Sequence, residues 1–141
     1  MDKINKKVKE FAKAFKALSN EKPCLISKQD YRLRYELMKE ENEEYLQACD
    51  LNDLIEIADA CIDKLYILLG TMHAHGILDK AEVLFNEVHR SNMSKLDDDG
   101  KPIINGENGV LDTTRPLGKV LKSENFSKPN LELFLKKYIN K

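Results

Sequence analysis

An acidic run on either side of one predicted turn is the feature that most limits how this chain can fold. Residues 36–63 include ten Asp or Glu residues and only one basic residue, Lys39. Two spaced patterns lie within this run, E-E-N-E-E at residues 40–44 and E-I-A-D at residues 56–59. A spacing of three places two carboxylates on one face of a helix, one turn apart. The fold must therefore accommodate an acidic pair on each of two neighbouring helices.

Apolar residues recur at helical steps of three and four along most of the chain. The third predicted helix is apolar on most sides and is expected to be the central, buried one. The loop after the fourth predicted helix is rich in Gly, Asn and Asp and can form a small hairpin. The expected fold is all-α, an antiparallel bundle of four to five helices in a single domain over residues 1–141. The predicted helices lie at about 4–18, 30–48, 51–75 and 79–92 and from 129 onward, with the loop at 97–128.

Capping chemistry predicts where three of these helices begin. Asp50 is expected to cap the third helix, with Asp53 at its third position. Asp79 is expected to cap the fourth helix. Pro129 is expected to occupy the first position of the last helix, where its missing N–H costs nothing.

The two acidic pairs are related by the turn between their helices. Positions 41 and 59, like positions 44 and 56, are symmetric about residue 50. In an antiparallel hairpin, Glu44 then faces Glu56 and Glu41 faces Asp59 one turn deeper. Four converging carboxylates repel one another, and a hard divalent cation such as Mg²⁺ offsets that repulsion. The pattern therefore predicts a Mg²⁺ site on Glu41, Glu44, Glu56 and Asp59.

A solvated helix face is the competing interpretation of these acids. Residues 40–44 alone favour it, because Glu-rich helices usually expose their acidic face to water. Glu56 and Asp59 favour the metal site, because they lie in a helix that is expected to be buried, where unpaired carboxylates are rare. Asp63, one turn beyond Asp59, is a further candidate ligand or an acceptor behind the ligands.

These motifs resemble those of the all-α NTP pyrophosphohydrolases, the superfamily of MazG proteins, dimeric dUTPases and phosphoribosyl-ATP pyrophosphohydrolases. The signature there is EExxE followed by ExxD, and here eleven residues separate the two motifs. The surrounding sequence resembles the MazG-like, phosphoribosyl-ATP-pyrophosphohydrolase-like branch over about residues 31–133. This resemblance includes H-R-S-N-M-S-K-L at 89–96 and G-K-V-L-K at 118–122. The loop at 103–117 departs from the pattern, being richer in Gly and Asn than expected, and its role near the substrate stays open.

The resemblance implies Mg²⁺-dependent hydrolysis, with Mn²⁺ as a substitute, between the α and β phosphates of a (deoxy)nucleoside triphosphate, giving a monophosphate and pyrophosphate. Phosphoribosyl-ATP, as in histidine biosynthesis, is the alternative substrate. Metals held by carboxylates can neutralise a polyphosphate and orient a water for in-line attack, so the residue chemistry agrees with this reaction. Glu41 is then both a metal ligand and a catalytic residue. Glu40, rotated by about 100° on the helix, is either a catalytic residue that orients a ligand or water, or a surface acid.

Phosphate oxygens that the metals leave uncovered need cationic or amide partners. Arg90, Asn92 and Lys95 are candidates at the end of the predicted fourth helix, and Lys119 in G-K-V-L-K is a weaker one. Without the resemblance, Arg90 and Lys95 are more simply explained as favourable charges at a helix C-terminus. With the resemblance, binding of the substrate phosphates is the favoured interpretation.

Composition and missing motifs exclude several other classes. The 23 basic and 24 acidic residues give a net charge of -1, so no basic field indicates a nucleic acid or a membrane partner. The charged N-terminus, the lack of a long apolar stretch and three cysteines without CxxC spacing lead us to expect a cytoplasmic protein. The chain carries no phosphate-binding loop, nucleophile elbow or H-E-x-x-H motif.

A helical module that binds metal or nucleotide without turnover is the non-enzymatic alternative, and pyrophosphate release would distinguish it from an enzyme. So few helices rarely enclose a nucleotide pocket alone, and relatives in the resembling superfamily form dimers or dimers of dimers. We therefore expect a homodimer or homotetramer. Phe11 and Phe15 of the first helix are candidates for its interface as well as for an internal core.

Overall fold

The computed structural model describes residues 2–139, and the regular structure of this part of the chain consists of helices. No strand occurs there, and one isolated antiparallel bridge joins Ile104 to Val120 within the long loop. The predicted all-α class is confirmed, and the loop-rich segment contains a bridge in place of a hairpin. The helices are α1 (Asp2–Ala14), α2 (Lys28–Asp50), α3 (Leu54–Ala74), α4 (Ala81–Met93) and α5 (Glu132–Ile139), with a 3₁₀ turn at Leu78–Lys80.

The described residues form two compact units. The first unit comprises residues 2–81 and 137–139, and it contains the α2–α3 hairpin with α1 packed against α3. The second unit comprises residues 82–136 and contains most of α4 and the long loop. That residues 1–141 form one domain stays a prediction.

The connection between α2 and α3 is tight because its residues suit it. Asn52 adopts a left-handed conformation with φ 56°, which Asn tolerates better than most residues. The Asp53 side chain accepts hydrogen bonds from the backbone N–H groups of Ile55 at 3.0 Å and Glu56 at 3.2 Å. The cap of α3 is therefore Asp53, and the prediction of Asp50 was wrong by three residues, because α2 continues through Asp50.

Two further predicted helix starts were wrong. Asp79 lies inside the 3₁₀ turn, and its carboxylate accepts a hydrogen bond from Lys9 Nζ at 2.7 Å. The Asp79 carboxylate thus forms an ion pair with Lys9 of α1. No capping hydrogen bond from α4 to Asp79 is found in the described residues. The last helix begins three residues after Pro129, and the Asn130 side chain accepts a hydrogen bond from its first turn at 3.3 Å. A local side-chain acceptor therefore sets this helix start.

The core of the first unit is small. Val8, Leu69 and Leu78 are almost fully buried, and Tyr66 and Met72 pack against them as partly buried neighbours. A unit with so few buried large side chains gains only modest stability from apolar burial, because each such side chain contributes roughly 1.5–3 kcal/mol.

α3 is the central helix of the first unit, in contact with α1, α2 and the 3₁₀ turn, but it is not buried as its composition predicts. Leu54 is 76%, Ile55 is 79% and Ile62 is 61% exposed. The prediction was wrong for an isolated chain, because too few helices surround α3 to cover it. Apolar exposure on this scale is typical of a surface that another protein covers. Within residues 2–139, no helix combines the length and apolar character needed to cross a membrane.

Candidate metal centre

Contacts between α2 and α3 show how the two helices are aligned. Lys64 Nζ donates a hydrogen bond to Asn42 Oδ1, and Arg34 Nη2 donates to the carbonyl of Ile67 at 2.8 Å farther from the turn. Positions 34 and 67 are symmetric about a point beside residue 50, and positions 42 and 64 are symmetric about residue 53, so the hairpin is antiparallel with its centre in the predicted turn. The alignment therefore brings the two acidic pairs to the same end of the hairpin.

A cavity of about 290 Å³ lies beside the turn, where the acidic pairs meet. Three predicted ligands face it, Glu44 from α2 and Glu56 and Asp59 from α3. Ala48 and Ala60, which are both buried, also line it and let the two helices approach closely. The cavity is therefore walled by small side chains and rimmed by carboxylates that solvent reaches.

Glu41, the fourth predicted ligand, is the partly buried member of the group. Its Oε2 is buried and makes no hydrogen bond within the described residues. Burial raises the pKa of the Glu41 carboxyl, and the charges of Glu44, Asp63, Glu40 and Asp59 raise this pKa further. A buried carboxylate oxygen without a partner is destabilising. Such an oxygen suits a cation, because a cation both satisfies the oxygen and offsets the neighbouring charges.

The carboxylates surround the cavity without converging on one point. Across residues 2–139, no group of three or more His, Cys, Asp or Glu side chains is arranged to hold a metal ion as it stands. Glu44, Glu56 and Asp59 are exposed, so their side chains can change rotamer within picoseconds to nanoseconds without repacking a core. Carboxylate oxygens are the ligands that Mg²⁺ prefers. The donor chemistry of these residues suits the ion, and their coordination of it stays a prediction.

Two parts of the sequence-based reasoning change with this geometry. Glu56 and Asp59 are exposed, so their expected burial was wrong and gives no reason to place a metal beside them. The buried oxygen belongs instead to Glu41 on α2. Glu40 is exposed and acts on Glu41 through its charge, which is compatible with both roles predicted for it.

Comparison with known families decides the class of the protein. The model of the family described as phosphoribosyl-ATP pyrophosphohydrolase matches residues 8–92, more than half of the chain. The chain belongs to the phosphoribosyl-ATP pyrophosphohydrolase family. It is therefore an enzyme, a pyrophosphohydrolase acting on an acid anhydride, and the superfamily indicated by its motifs is confirmed. No curated protein sequence matches the chain.

Arg90, a predicted phosphate donor of this family member, is held by contacts within the second unit. Its Nε and Nη2 donate to the two carboxylate oxygens of Glu87 at 2.9 and 2.8 Å. Nη1 donates to Ser127 Oγ at 3.2 Å, and Nη2 donates to the carbonyl of Lys128 at 3.0 Å. The hydrogen bonds from Arg90 and from the backbone of Asn130 lower the pKa of Glu87 to about 2. These contacts favour a structural role for Arg90, joining α4 to the segment before α5.

The other predicted phosphate donors of the pyrophosphohydrolase also lie in the second unit. Lys95 Nζ donates to Asn92 Oδ1 at 2.8 Å, so these two side chains are paired with each other. An ammonium group has three donors, which leaves Lys95 capacity for a phosphate. Lys119 is exposed, and its carbonyl accepts a hydrogen bond from the backbone of Asn105 at 2.9 Å. Because the acidic centre belongs to the first unit, phosphate binding by these residues stays a prediction.

Asn105, which no sequence pattern singled out, organises the long loop of the enzyme. It is 1% exposed, and its Nδ2 donates to the carbonyls of Asp112, Arg115 and Pro116 at 2.9, 2.9 and 3.0 Å. Its Oδ1 accepts a hydrogen bond from the Asp112 N–H at 2.7 Å. The Asn-Gly pair at 105–106 signals a turn, but the partners of the amide come from residues seven to eleven positions away. The loop at 103–117 is therefore built around one buried amide.

Proposed function

We propose that this protein is a Mg²⁺-dependent pyrophosphohydrolase that cleaves the α–β phosphoanhydride of a nucleotide, with phosphoribosyl-ATP as its substrate. The family match supports phosphoribosyl-ATP, the alternative substrate predicted from the sequence, better than an unspecified (deoxy)nucleoside triphosphate. One observation carries the metal centre: Glu41 has a buried oxygen without a partner, and the charges of Glu44 and Asp59, which line the cavity, act on its carboxyl group.

The acidic residues have different roles in the proposed reaction. Glu41, Glu44, Glu56 and Asp59 hold the ion, which supplies charge neutralisation and Lewis acidity toward the phosphates when it is bound. Glu40 orients a water or a ligand from its exposed position next to Glu41. The oxygen of the attacking water forms a new bond to phosphorus, the bridge between the α and β phosphates breaks, and monophosphate and pyrophosphate leave. Without a cation, the carboxylates repel a polyphosphate, so turnover must depend on metal.

The test is pyrophosphate release from phosphoribosyl-ATP, dUTP and dCTP, each with Mg²⁺ and with EDTA. Glu41→Gln and Asp59→Asn should each lower the rate by at least about 100-fold, because each removes a charged ligand. The matched control is Glu43→Gln on the same helix, because Glu43 is exposed and lies 3.6 Å from Lys39. Glu43→Gln should keep the parent rate. Mg²⁺-dependent release that survives both ligand variants would rule out this metal centre.

A (deoxy)nucleoside triphosphate is the second candidate substrate. The residues H-R-S-N-M-S-K-L at 89–96 resemble the MazG-like, phosphoribosyl-ATP-pyrophosphohydrolase-like branch, and the MazG-like part of that resemblance is compatible with it. Preference for dUTP or dCTP over phosphoribosyl-ATP by a factor of ten or more in kcat/KM would select it. Mn²⁺ should replace Mg²⁺ in either reaction, because both ions take oxygen ligands. If Mg²⁺ raised the melting temperature while every nucleotide stayed intact, the centre would bind metal without catalysis.

We also propose that the protein is a homodimer or a homotetramer. The exposed apolar side chains of α3 support this, since monomers rarely expose apolar patches beyond a few hundred Å². Phe15 is 70% and Phe11 is 45% exposed, although the two rings stack on each other at 4.4 Å. Ile62→Glu should lower the sedimentation mass to that of one chain, whereas Glu36→Gln, on the exposed surface of α2, should leave it unchanged. A monomeric parent protein would contradict the proposal.

A further inference from the structure

A second cavity, of about 220 Å³, lies deeper in the α2–α3 hairpin, where α1 packs on it. Most of its wall is apolar or aromatic, and one charged side chain, that of Arg34, lines it. Phe11 and Tyr66, whose rings meet edge to face at 5.6 Å, form part of the wall. An apolar cavity with one polar group that fixes orientation is the usual form of a small-molecule site. The residues that matter for its chemistry are Phe11, Leu18, Arg34, Leu37, Tyr66 and Gly70.

Arg34 is held in this wall without a counter-charge. Its Nε donates to Thr71 Oγ1 at 3.0 Å, and its Nη2 donates to the carbonyl of Ile67 at 2.8 Å. Its Nη1 makes no hydrogen bond, and no carboxylate pairs with the guanidinium, among the described residues. Burial lowers the pKa of Arg34, which reports that its charge is partly desolvated. Because Arg34 lines the cavity, its half-buried cation offers a free donor to an acceptor on a ligand there.

Gly70 supports the view that the position of this guanidinium matters. It lies inside α3, where glycine is about 1 kcal/mol less favourable than alanine. A Cβ atom at this position would lie only 2.8 Å from Arg34 Nη2. The chain thus carries a helix-weakening residue at a place where a methyl group would displace the arginine.

The cavity is aligned with the acidic centre along both helices. Arg34 precedes Glu41 by seven residues on α2, and Tyr66 follows Asp59 by seven residues on α3. Seven residues are two helical turns, so each pair shares a helix face and is separated by about 10 Å along the axis. A nucleotide whose phosphates lie at the carboxylates extends its sugar and base over a distance on the order of two helical turns.

We propose that this cavity holds the base of the nucleotide substrate, with Arg34 Nη1 donating to a ring nitrogen or carbonyl acceptor of the base. The proposal rests on the proposed function, because it assigns the other end of the same substrate. Phe11 and Tyr66 supply aromatic contact to the ring, as proteins commonly do for unstacked bases. A guanidinium donates only, so the site selects bases that present an acceptor at this edge and rejects bases that present an amino group there.

The test measures binding by titration calorimetry, so it needs no turnover. The probes are α,β-methylene-ATP, which resists α–β cleavage, and inorganic tripolyphosphate, which has no base, each with Mg²⁺. Arg34→Met should weaken α,β-methylene-ATP about tenfold or more, the loss expected for a hydrogen bond to a charged group. Tripolyphosphate binding should stay within about twofold of the parent. Arg32→Met is the matched control, because Arg32 is exposed on the same helix, and it should change neither affinity.

Gly70→Ala separates a ligand role of Arg34 from a role in holding the hairpin together. The added methyl group meets only the far end of the Arg34 side chain. This variant should therefore melt at or above the parent temperature while losing affinity for α,β-methylene-ATP and keeping that for tripolyphosphate. Gly70→Ala also tests the base site if Arg34→Met does not fold.

Each remaining outcome has one meaning. Equal loss of both probes in Arg34→Met and Gly70→Ala would overturn the base site. Dissociation of an oligomer by Phe11→Ala, without a change in nucleotide affinity, would assign the cavity to a second copy and also overturn it. If the parent cleaves nucleotides and Arg34→Met keeps its KM for all of them, the base site fails while the proposed function stands. If the expected binding pattern appears but no nucleotide is cleaved, the base site stands and the proposed function fails.

Discussion

Replacing Glu41 by Gln should stabilise the metal-free protein while removing its activity. The Glu41 carboxylate has a buried oxygen without a partner and four acidic neighbours that raise its pKa. Gln keeps a polar side chain without a partner at this position, so the substitution relieves only the repulsion between Glu41 and its acidic neighbours. Because much of the Glu41 side chain reaches solvent, which screens the repulsion, we take about 1 kcal/mol as the gain from neutralising it. For a chain of this length, that gain raises the melting temperature by roughly 3–5 °C.

The pH dependence of this gain has a definite sign. A raised pKa means that the folded protein binds the Glu41 proton more tightly than the unfolded chain does. The stability of the metal-free parent therefore falls as pH rises from the ordinary carboxyl pKa through the raised one. Glu41→Gln has no proton to lose at this position, so its advantage should appear above that window and vanish below it. Melting curves at several pH values in EDTA measure this directly.

Mg²⁺ should reverse the order of stability of the parent protein and the Glu41→Gln variant. At a free Mg²⁺ concentration of 100 times Kd, a ligand that binds only the folded state adds about 2.7 kcal/mol. The parent should gain this amount and Glu41→Gln little of it, so the parent becomes the more stable protein by about 1–2 kcal/mol. Glu43→Gln should track the parent in both buffers. A Glu41→Gln protein that is less stable than the parent in EDTA, or that gains as much from Mg²⁺, would refute the reasoning.

Three further predictions concern the fold. Asp53→Ala should lower the free energy of unfolding by about 1 kcal/mol, because it removes the cap of α3; Asp50→Ala should cost less in the same urea titration, and an equal loss would contradict the assignment of the cap. Arg90→Met should remove the stabilisation that the ionised Glu87 carboxylate provides. This stabilisation is present above the ordinary carboxyl pKa and is lost as pH falls toward about 2, so the urea midpoints of variant and parent should converge in acid. A constant gap down to pH 2 would argue against the pair. Asn105→Ala should speed hydrogen exchange of the long loop, because the amide that joins its backbone groups is lost; unchanged exchange would show that the loop is held in another way.

Local patterns predicted the helical hairpin and the cavity-lining positions of three acidic residues, while metal binding by these residues stays a prediction. The helices, their order and the meeting of Glu44, Glu56 and Asp59 follow from helical spacing and from one turn, all of which are written into nearby residues. The cap of α3 was missed by three residues because Asp50 and Asp53 are both good capping residues, and only the end of α2 distinguishes them. Boundaries of this kind depend on how far the preceding helix continues.

Residues whose roles come from distant partners could not be predicted. Arg34 is polar and lies on an amphipathic helix, so its sequence context suggests solvent, and its position becomes visible only with Gly70 and Ile67 of the facing helix. Asn105 shows only a turn signal, although its amide joins carbonyls up to eleven residues away. Arg90 stays a predicted phosphate donor, and its hydrogen bonds to Ser127 and to the carbonyl of Lys128 could not be predicted from nearby residues. In each case the local sequence gives the helix or the turn, and only the structure shows the distant partner.

In the proposed oligomer, the exposed face of α3 would link the proposed metal centre to association of the chain. Ile55, Asp59 and Ile62 share one helix face, because they follow one another at steps of four and three. Covering the two exposed isoleucines with another protein surface therefore also removes water from around Asp59. Lower polarity strengthens the repulsion between Asp59 and its acidic neighbours, and it equally strengthens their attraction for a cation. Association without metal is thus opposed by the same charges that favour association with metal, so the apolar face and the carboxylates are best understood as parts of one site.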